Sequence, residues 1–334
     1  MNATGQTQDK RAIPPLPSHV LAKIWLTSFA DKRLNVQLNR LGQQAIHFGF
    51  SRDHILLWNE DALANSFKAE MRTHLIPGSR GFGYWCWKPQ VVLQAFELMC
   101  DGDFLLFLDA GCHLNRTAAS VRRFMDYLDT TDKFGLCNFQ SKSLMASPYP
   151  DLLHHYLLER QWTKGDVFDY FHCRDNPHVT DTGQLAGGVF FVKKTKENVL
   201  FFEQYRNVFL HNFHLADDSP SLASNLDGFV ENRHDQSIFS IMCKLRWNGV
   251  NTYSTMEFVP ILYIAPAQFR NDSNWGTASW RQMRIYPIHA RRDKRIGWKS
   301  LLPITIFNFL QRIYSKILNM RILQAISSRQ SNNF

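Results

Sequence analysis

The run Phe104–Leu108 (FLLFL) constrains this chain more than any other segment. Five consecutive apolar residues leave no polar face for water, so they suit a central strand covered on both sides. Asp101-Gly102, a turn signal, precedes the run, and Asp109-Ala110-Gly111-Cys112 ends it. Upstream, Lys23–Phe29 (KIWLTSF) reads as a strand. Asp31 then caps a helix reaching about Phe48, with Leu34, Val36, Leu38 and Leu41 among its apolar residues, and His54–Trp58 (HILLW) reads as a second strand. Strand, helix, strand is the opening of a parallel, nucleotide-binding type of sheet. The expected fold is therefore α/β, a single Rossmann-type domain with a mostly parallel central sheet.

The rest of the chain extends this pattern. Gly78–Pro89 (GSRGFGYWCWKP) is a glycine-broken, aromatic-rich loop, and Pro89 suits the first position of a buried helix running to Cys100. A helix is expected around Ala118–Leu128 and a strand at about Phe134–Phe139. The run Gly183–Gly188 (GQLAGG) leads into the strand Val189–Val192, with a helix following over Lys196–Leu210. His234-Asp235-Gln236 opens another apolar helix, and two further strands are expected before Ile288-His289. No repeat or composition break interrupts residues 21–298, which read as one domain after a flexible leader (1–20).

Composition bounds the class. An apolar fraction of 45% with 20% charged residues excludes a disordered, collagen-like or coiled-coil chain. No stretch reaches the roughly 18 uncharged apolar residues of a spanning helix, and the N-terminus has no apolar core of signal-peptide length. A cytoplasmic location is expected. The six cysteines show no CxxC pair and no zinc spacing, so they read as reduced, mostly buried thiols.

Four groups of residues offer chemistry. Asp109 stands at the carboxyl end of the apolar strand, where ligands of open α/β sheets collect, whereas Asp101 and Asp103 precede it. Asp109 therefore reads as a site residue, the alternative being an Asp that merely caps a turn. Asp235-Gln236 sits at a helix start, either as an N-cap or as a carboxylate–amide pair aimed at a sugar's hydroxyls. His289 is a candidate ligand for manganese or zinc, or a structural histidine. Arg80 and Lys88 flank Trp85 and Trp87 just before a helix N-terminus, a place suited to a diphosphate, although the tryptophans serve equally as core anchors.

The C-terminal segment (299–334) follows a basic run containing Arg291, Arg292, Lys294, Arg295 and Lys299. After Pro303, Ile306, Phe309, Leu310, Ile313, Ile317 and Met320 recur at helical spacing. Such an amphipathic helix suits an anionic membrane surface or packs on its own domain. Much of the net charge of +9 lies here. No basic–aromatic motif accompanies it, so nucleic acid is not an expected partner.

Taken in order, YWCWKP, FLLFLDAGC, GQLAGGVFF, RHDQSIFS and the late His289 resemble bacterial glycosyltransferases with the GT-A fold, of the polysaccharide or lipopolysaccharide type. More distantly, the order of motifs is similar to the retaining glycosyltransferase family 8. The resemblance covers about Lys23 to Arg295. It implies a nucleotide-sugar donor and a glycan or lipid-linked acceptor, with a hexosyltransferase-like activity, retaining rather than inverting. Asp109 and His289 match the metal-binding positions for Mn2+ or Mg2+, while Gly111 stands where a second Asp is usual. Gln184, with Ala186 and Gly187, falls on the sugar-contact segment, with Gln in place of the usual Asn. Asp235 and Gln236 match the pair near the reacting face, and Thr27, Ser28 and Phe29 match the edge that holds the nucleoside. Arg80 and Lys88 would help with the diphosphate. With the second Asp missing, the competing expectation is a non-catalytic nucleotide- or glycan-binding protein of the same fold. A Rossmann oxidoreductase is disfavoured because Ser28-Phe29-Ala30-Asp31 lacks GxGxxG. Acceptors of this type are often lipid-linked, which places the protein peripherally on the inner face of the plasma membrane.

Overall fold

The computed structural model describes residues 13–141, 158–254, 257 and 285–290. Its strands are β1 (Ile24–Phe29), β2 (Ile55–Trp58), β3 (Phe104–Leu108), β4 (Cys112–Leu114), β5 (Leu136–Gln140), β6 (Val189–Lys193), β7 (Thr252–Ser254) and β8 (Ile288–Ala290). Six of them form one sheet in the order β2-β1-β3-β6-β5-β7, and β4 and β8 form a separate pair. β1 is parallel to β2 and β3, β5 is parallel to β7, and only β6 runs against its neighbours. The sheet is mostly parallel, as the apolar run predicts.

The longer helices are α1 (Asn35–Phe48), α2 (Trp87–Leu98), α3 (Ala118–Phe134), α4 (Lys196–His211) and α5 (Asp235–Trp247). They cover the sheet on both faces. Leu105 and Phe107 of β3, with Phe190 and Val192 of β6, join a core built with Val91, Phe96, Phe202, Tyr205 and Phe239 from α2, α4 and α5. Leu106, Leu108, Val189 and Phe191 point the other way, towards Leu41, Phe48, Phe124 and Tyr127 of α1 and α3. Phe107 stacks on Phe190 with ring centroids 4.9 Å apart. The period-2 alternation of side chains thus fills two cores from one uninterrupted apolar run.

Element boundaries differ from the sequence expectation in instructive ways. Asp31 accepts a hydrogen bond from the Arg33 amide at 3.1 Å, but it caps a short 3-10 turn, and α1 starts after that turn. α2 begins two residues before Pro89, so Lys88 lies in the first helical turn instead of in the loop. The leader is not loose throughout: Leu16 and Val20 are buried with Phe48 in the α1-side core. α3 continues past Leu128 to Phe134, because its buried stripe extends to Tyr127, Leu128 and Thr131 before Gly135 ends it in a left-handed conformation. All six cysteines are free thiols, five of them buried and Cys100 exposed. No helix among the described residues is long and apolar enough to cross a membrane. The expected amphipathic helix after Pro303, the basic run 291–299 and most of the segment before Ile288 lie outside the described residues.

Asp103 shows why the first acidic pair is structural. Its Oδ2 accepts from the Trp25 indole and from the Cys100 amide, each at 3.0 Å, and it is buried where the chain enters β3. Asp103→Ala should leave both donors unsatisfied and cost about 1–3 kcal/mol. Urea unfolding checks this, with a lower midpoint and an unchanged slope as the expected outcome.

Candidate active site

The site forms where β3 ends. Because β6 runs against β3, the end of one strand lies beside the start of the other, and the Asp109 amide donates to the Gly188 carbonyl at 2.9 Å. Glycine leaves room there for the two carboxylates. A Cβ on Gly188 would lie 2.2 Å from Asp109 Oδ2, and one on Gly187 would lie 3.2 Å from Asp235 Oδ2. The two glycines let two carboxylates close on the backbone. From α1, Arg40 donates to the carbonyls of Ala110 (2.7 Å) and Cys112 (3.0 Å), fixing the turn that carries Gly111.

Lys88 joins these parts. Its ammonium is 2% exposed, donates to the Gly187 carbonyl at 2.7 Å and to Asp235 Oδ2, and stands 3.9 Å from Asp109 Oδ1. Burial alone would lower its pKa, but the two carboxylates and the hydrogen bond outweigh burial and hold it above the ordinary lysine value. Burial is likewise the largest influence on Asp235. It pushes the carboxyl up to about 6 against the pull of Lys88, and Asp109 pushes the same way. Asp109 differs, with its side chain 44% exposed and thus open to a ligand. One buried cation therefore ties a buried carboxylate to an accessible one.

Asp235 is the first residue of α5; His234 holds the N-cap position, with a left-handed φ of 58°. Gln236 accepts from the Gly187 amide at 3.1 Å and donates to Gln184 Oε1 at 2.6 Å. Gln184 is buried, and its amide faces Glu159 Oε1 (3.0 Å) and the Trp162 carbonyl (3.1 Å). Glu159, wholly buried, is bound by Lys244 at 2.7 Å and by Thr163 at 2.7 Å. Gln184, expected among the catalytic residues, is thus an interior group that positions Gln236.

Several expected donor contacts are placed elsewhere. Thr27 and Ser28 are wholly buried, and Thr27 spends its hydroxyl on the Leu56 carbonyl (3.3 Å) and the Trp58 indole (2.8 Å). Phe29 stacks on Trp87 at 4.1 Å. These three side chains build the core beneath the site and offer no surface to a nucleoside. Arg80 pairs with Asp218 at 3.0 Å instead of facing Asp109. Ala186 is partly buried, its amide donating to Phe139 at 2.8 Å. His289 lies in β8, directly across the ladder from His113, four residues beyond Asp109 in the chain, and both imidazoles are buried.

Among the described residues no group of three or more His, Cys, Asp or Glu is arranged to hold a metal ion. Asp109 alone, with an ammonium 3.9 Å away, does not complete a divalent-cation site. What does converge is an accessible carboxylate, a buried cation and the first turns of α2 and α5, whose helix dipoles favour negative charge. Sequence reasoning missed Gly188, Arg40, His234, Glu159 and Lys244. Only the Gly-Gly pair before a strand could have been read as a close approach.

No protein-family model and no curated protein matches the chain. Among solved structures it is similar to the apo form of mouse xyloside xylosyltransferase 1, at 9% identity and a TM-score of 0.37 over 71% of this chain and 87% of that one. It is also similar to a glycosyltransferase involved in glycosylation of the major capsid of PBCV-1, at 9% identity and a TM-score of 0.39 over 81% and 97%. A third likeness is to core-mannan synthase A from Aspergillus fumigatus in its Mn/GDP form, at 10% identity and a TM-score of 0.36 over 76% and 80%. Likeness at this level identifies neither donor nor acceptor.

Removing the cation should expose its role. Lys88→Met leaves Asp235 buried without its counter-charge, an expected cost of about 3–5 kcal/mol at pH 8. The cost should shrink towards pH 5, because a protonated Asp235 buries no charge. With Lys88 gone, burial and Asp109 still hold the Asp235 carboxyl above its unfolded value, so the folded variant binds this proton more tightly and gains stability as pH falls. Denaturant midpoints of wild type and variant at the two pH values check this.

Proposed function

We propose that the chain is a glycosyltransferase that moves a sugar, of hexosyl type, from a nucleotide-sugar donor to a hydroxyl of a glycan or lipid-linked acceptor. Its biological setting in this proposal is surface-polysaccharide synthesis. One observation carries it: Asp109, Lys88, Asp235 and Gln236 meet at the carboxyl end of β3, between two helix N-terminal turns, and Asp109 is open to ligand. Ligands of open α/β sheets bind at that end.

In the transfer, the acceptor oxygen forms a bond to the anomeric carbon as the bond from that carbon to the diphosphate breaks. The electron pair leaves on the diphosphate and the acceptor proton is released. Charge therefore grows on the leaving group, and preorganised positive groups stabilise it. Lys88 and the dipoles of α2 and α5 supply that field, and Gln236 presents an amide held by Gln184 and Gly187. Asp235 is 4% exposed and bound to Lys88, which suits an orienting role better than that of a general base. That supports the retaining course over the inverting one. Where the donor's phosphates supply the missing oxygens, Asp109 is the residue that would hold Mn2+ or Mg2+, a Lewis acid for the same leaving group, with His289 the second expected ligand. Location in the cytoplasm, at the inner membrane face through residues 299–334, completes the proposal.

Calorimetric titration with UDP-, GDP- and CMP-sugars, paired with a donor-turnover assay, tests it. At least one donor should bind and turn over. Asp109→Ala should lower turnover by about 100-fold or more, while thermal unfolding stays close to wild type because Asp109 is half exposed. Binding with no turnover in the wild type would assign the chain to the non-catalytic nucleotide- or glycan-binding class. Turnover unchanged in Asp109→Ala would remove the site.

A further inference from the structure

A second concavity lies beside this centre. A cavity of about 600 Å³ opens between the segment 217–232 and Lys164. Its charged lining residues are Asp217, Asp218, Glu231 and Lys164. The Lys164 ammonium is buried and already engaged by the His214 carbonyl (2.8 Å), Ser219 (3.3 Å) and Asp217 (3.4 Å). Lys164 thus offsets Asp217 and Arg80 offsets Asp218, so Glu231 leaves the wall net negative, which repels a phosphate. Carboxylates, the amide of Asn225 and the half-exposed ring of Phe229 instead match the hydroxyls and apolar face of a neutral sugar ring.

This wall touches the proposed centre at one place. Asp218 is held by Arg80 (3.0 Å) and the Tyr84 hydroxyl (2.9 Å), and its Oδ1 lies 3.9 Å from His234 Nε2, one residue before Asp235. His234 is 4% exposed. Its Nδ1 faces the Ala216 carbonyl at 2.6 Å, which can only accept, so Nδ1 carries the proton and Nε2 presents a bare lone pair. That Nε2 is buried and has no hydrogen-bond partner. Burial also lowers the pKa of the imidazole, which keeps it neutral. The His234 ring thus packs beneath Asp218, which Arg80 and Tyr84 hold at the cavity wall.

The surrounding backbone is held under strain. Phe82, Tyr84, Trp85 and His234 all have left-handed φ values between 50° and 60°. The rings of Tyr84 and Trp85 lie 5.1 and 5.7 Å from that of His234. Such strained backbone concentrates at ligand clamps and active sites.

We propose that this cavity is the acceptor seat: it takes a neutral hexopyranoside unit whose hydroxyls meet the carboxylates of Asp218 and Glu231 and whose apolar face lies on Phe229. The assignment as acceptor rests on the donor occupying the Asp109–Asp235 centre. The sugar seat itself rests on the cavity.

Saturation-transfer NMR on the full chain tests it, using methyl α-glucoside, methyl α-galactoside and methyl α-mannoside as probes, with and without saturating UDP or GDP. At least one glycoside should receive saturation, and should keep it when the nucleotide is present. Phe229→Ala, at a half-buried position, and Glu231→Gln, at an exposed one, should each weaken it at least tenfold, with the thermal unfolding of Glu231→Gln unchanged as the control for folding. No saturation of any glycoside in either condition overturns the proposal. So does a signal indifferent to both substitutions, or one displaced by the nucleotide, which would mark the donor's own sugar pocket. Nucleotide-sugar binding, read separately by calorimetry, reports on the donor site, so either assignment can fail alone.

Discussion

A buried ammonium organises this molecule. Lys88 is nearly inaccessible, and an unpaired cation at that depth would carry a penalty of several kcal/mol. It is tolerated because Asp235, the Gly187 carbonyl and, at 3.9 Å, Asp109 surround it. Each partner comes from a different element: α5, the approach to β6 and the end of β3. Satisfying one charge therefore fixes three pieces of chain against one another, and one of them presents an accessible carboxylate. Gly187 and Gly188 help by leaving the Asp235 and Asp109 carboxylates room to approach the backbone.

Behind that first ring of contacts lies a second buried ion pair. Lys244 and Glu159 are both almost wholly inaccessible, and Glu159 reaches Gln184, which holds Gln236. The polar groups form a continuous chain from the interior to the Gly187 amide. Such a network is stable only when every member is satisfied. Here it orients an amide at the site's edge without exposing the residues that do the orienting.

Much of the fold was legible in the sequence because local pattern carries it. The alternation hidden inside FLLFL, the strand–helix–strand opening and the place of Asp109 after the apolar run all follow from burial and periodicity, and the mostly parallel sheet bears them out. The site was legible only in outline. Asp109, Lys88, Asp235, Gln236 and Gly187 do converge, but Lys88 proves to be an interior counter-charge and not a surface cation. Thr27, Ser28 and Phe29 looked like a nucleoside edge, yet they are core residues, since nothing in a short strand's composition tells which face a neighbour will cover. Glu159, Lys244 and His234 gave no signal, because their partners are distant in sequence: 85 residues separate the first two (244 − 159), which meet at 2.7 Å. The apparent N-cap at Asp235 was displaced by one residue to His234, freeing the carboxylate to meet Lys88.

The central claim is that Asp109, beside the first turns of α2 and α5, receives a nucleotide's diphosphate. A crystal structure of the full chain soaked with a donor nucleotide tests it most directly. The account predicts both phosphates at the end of β3, touching Asp109 or its neighbouring backbone amides, with the Lys88–Asp235 pair intact beneath them. Phosphates bound on another face, with Asp109 untouched, would contradict it.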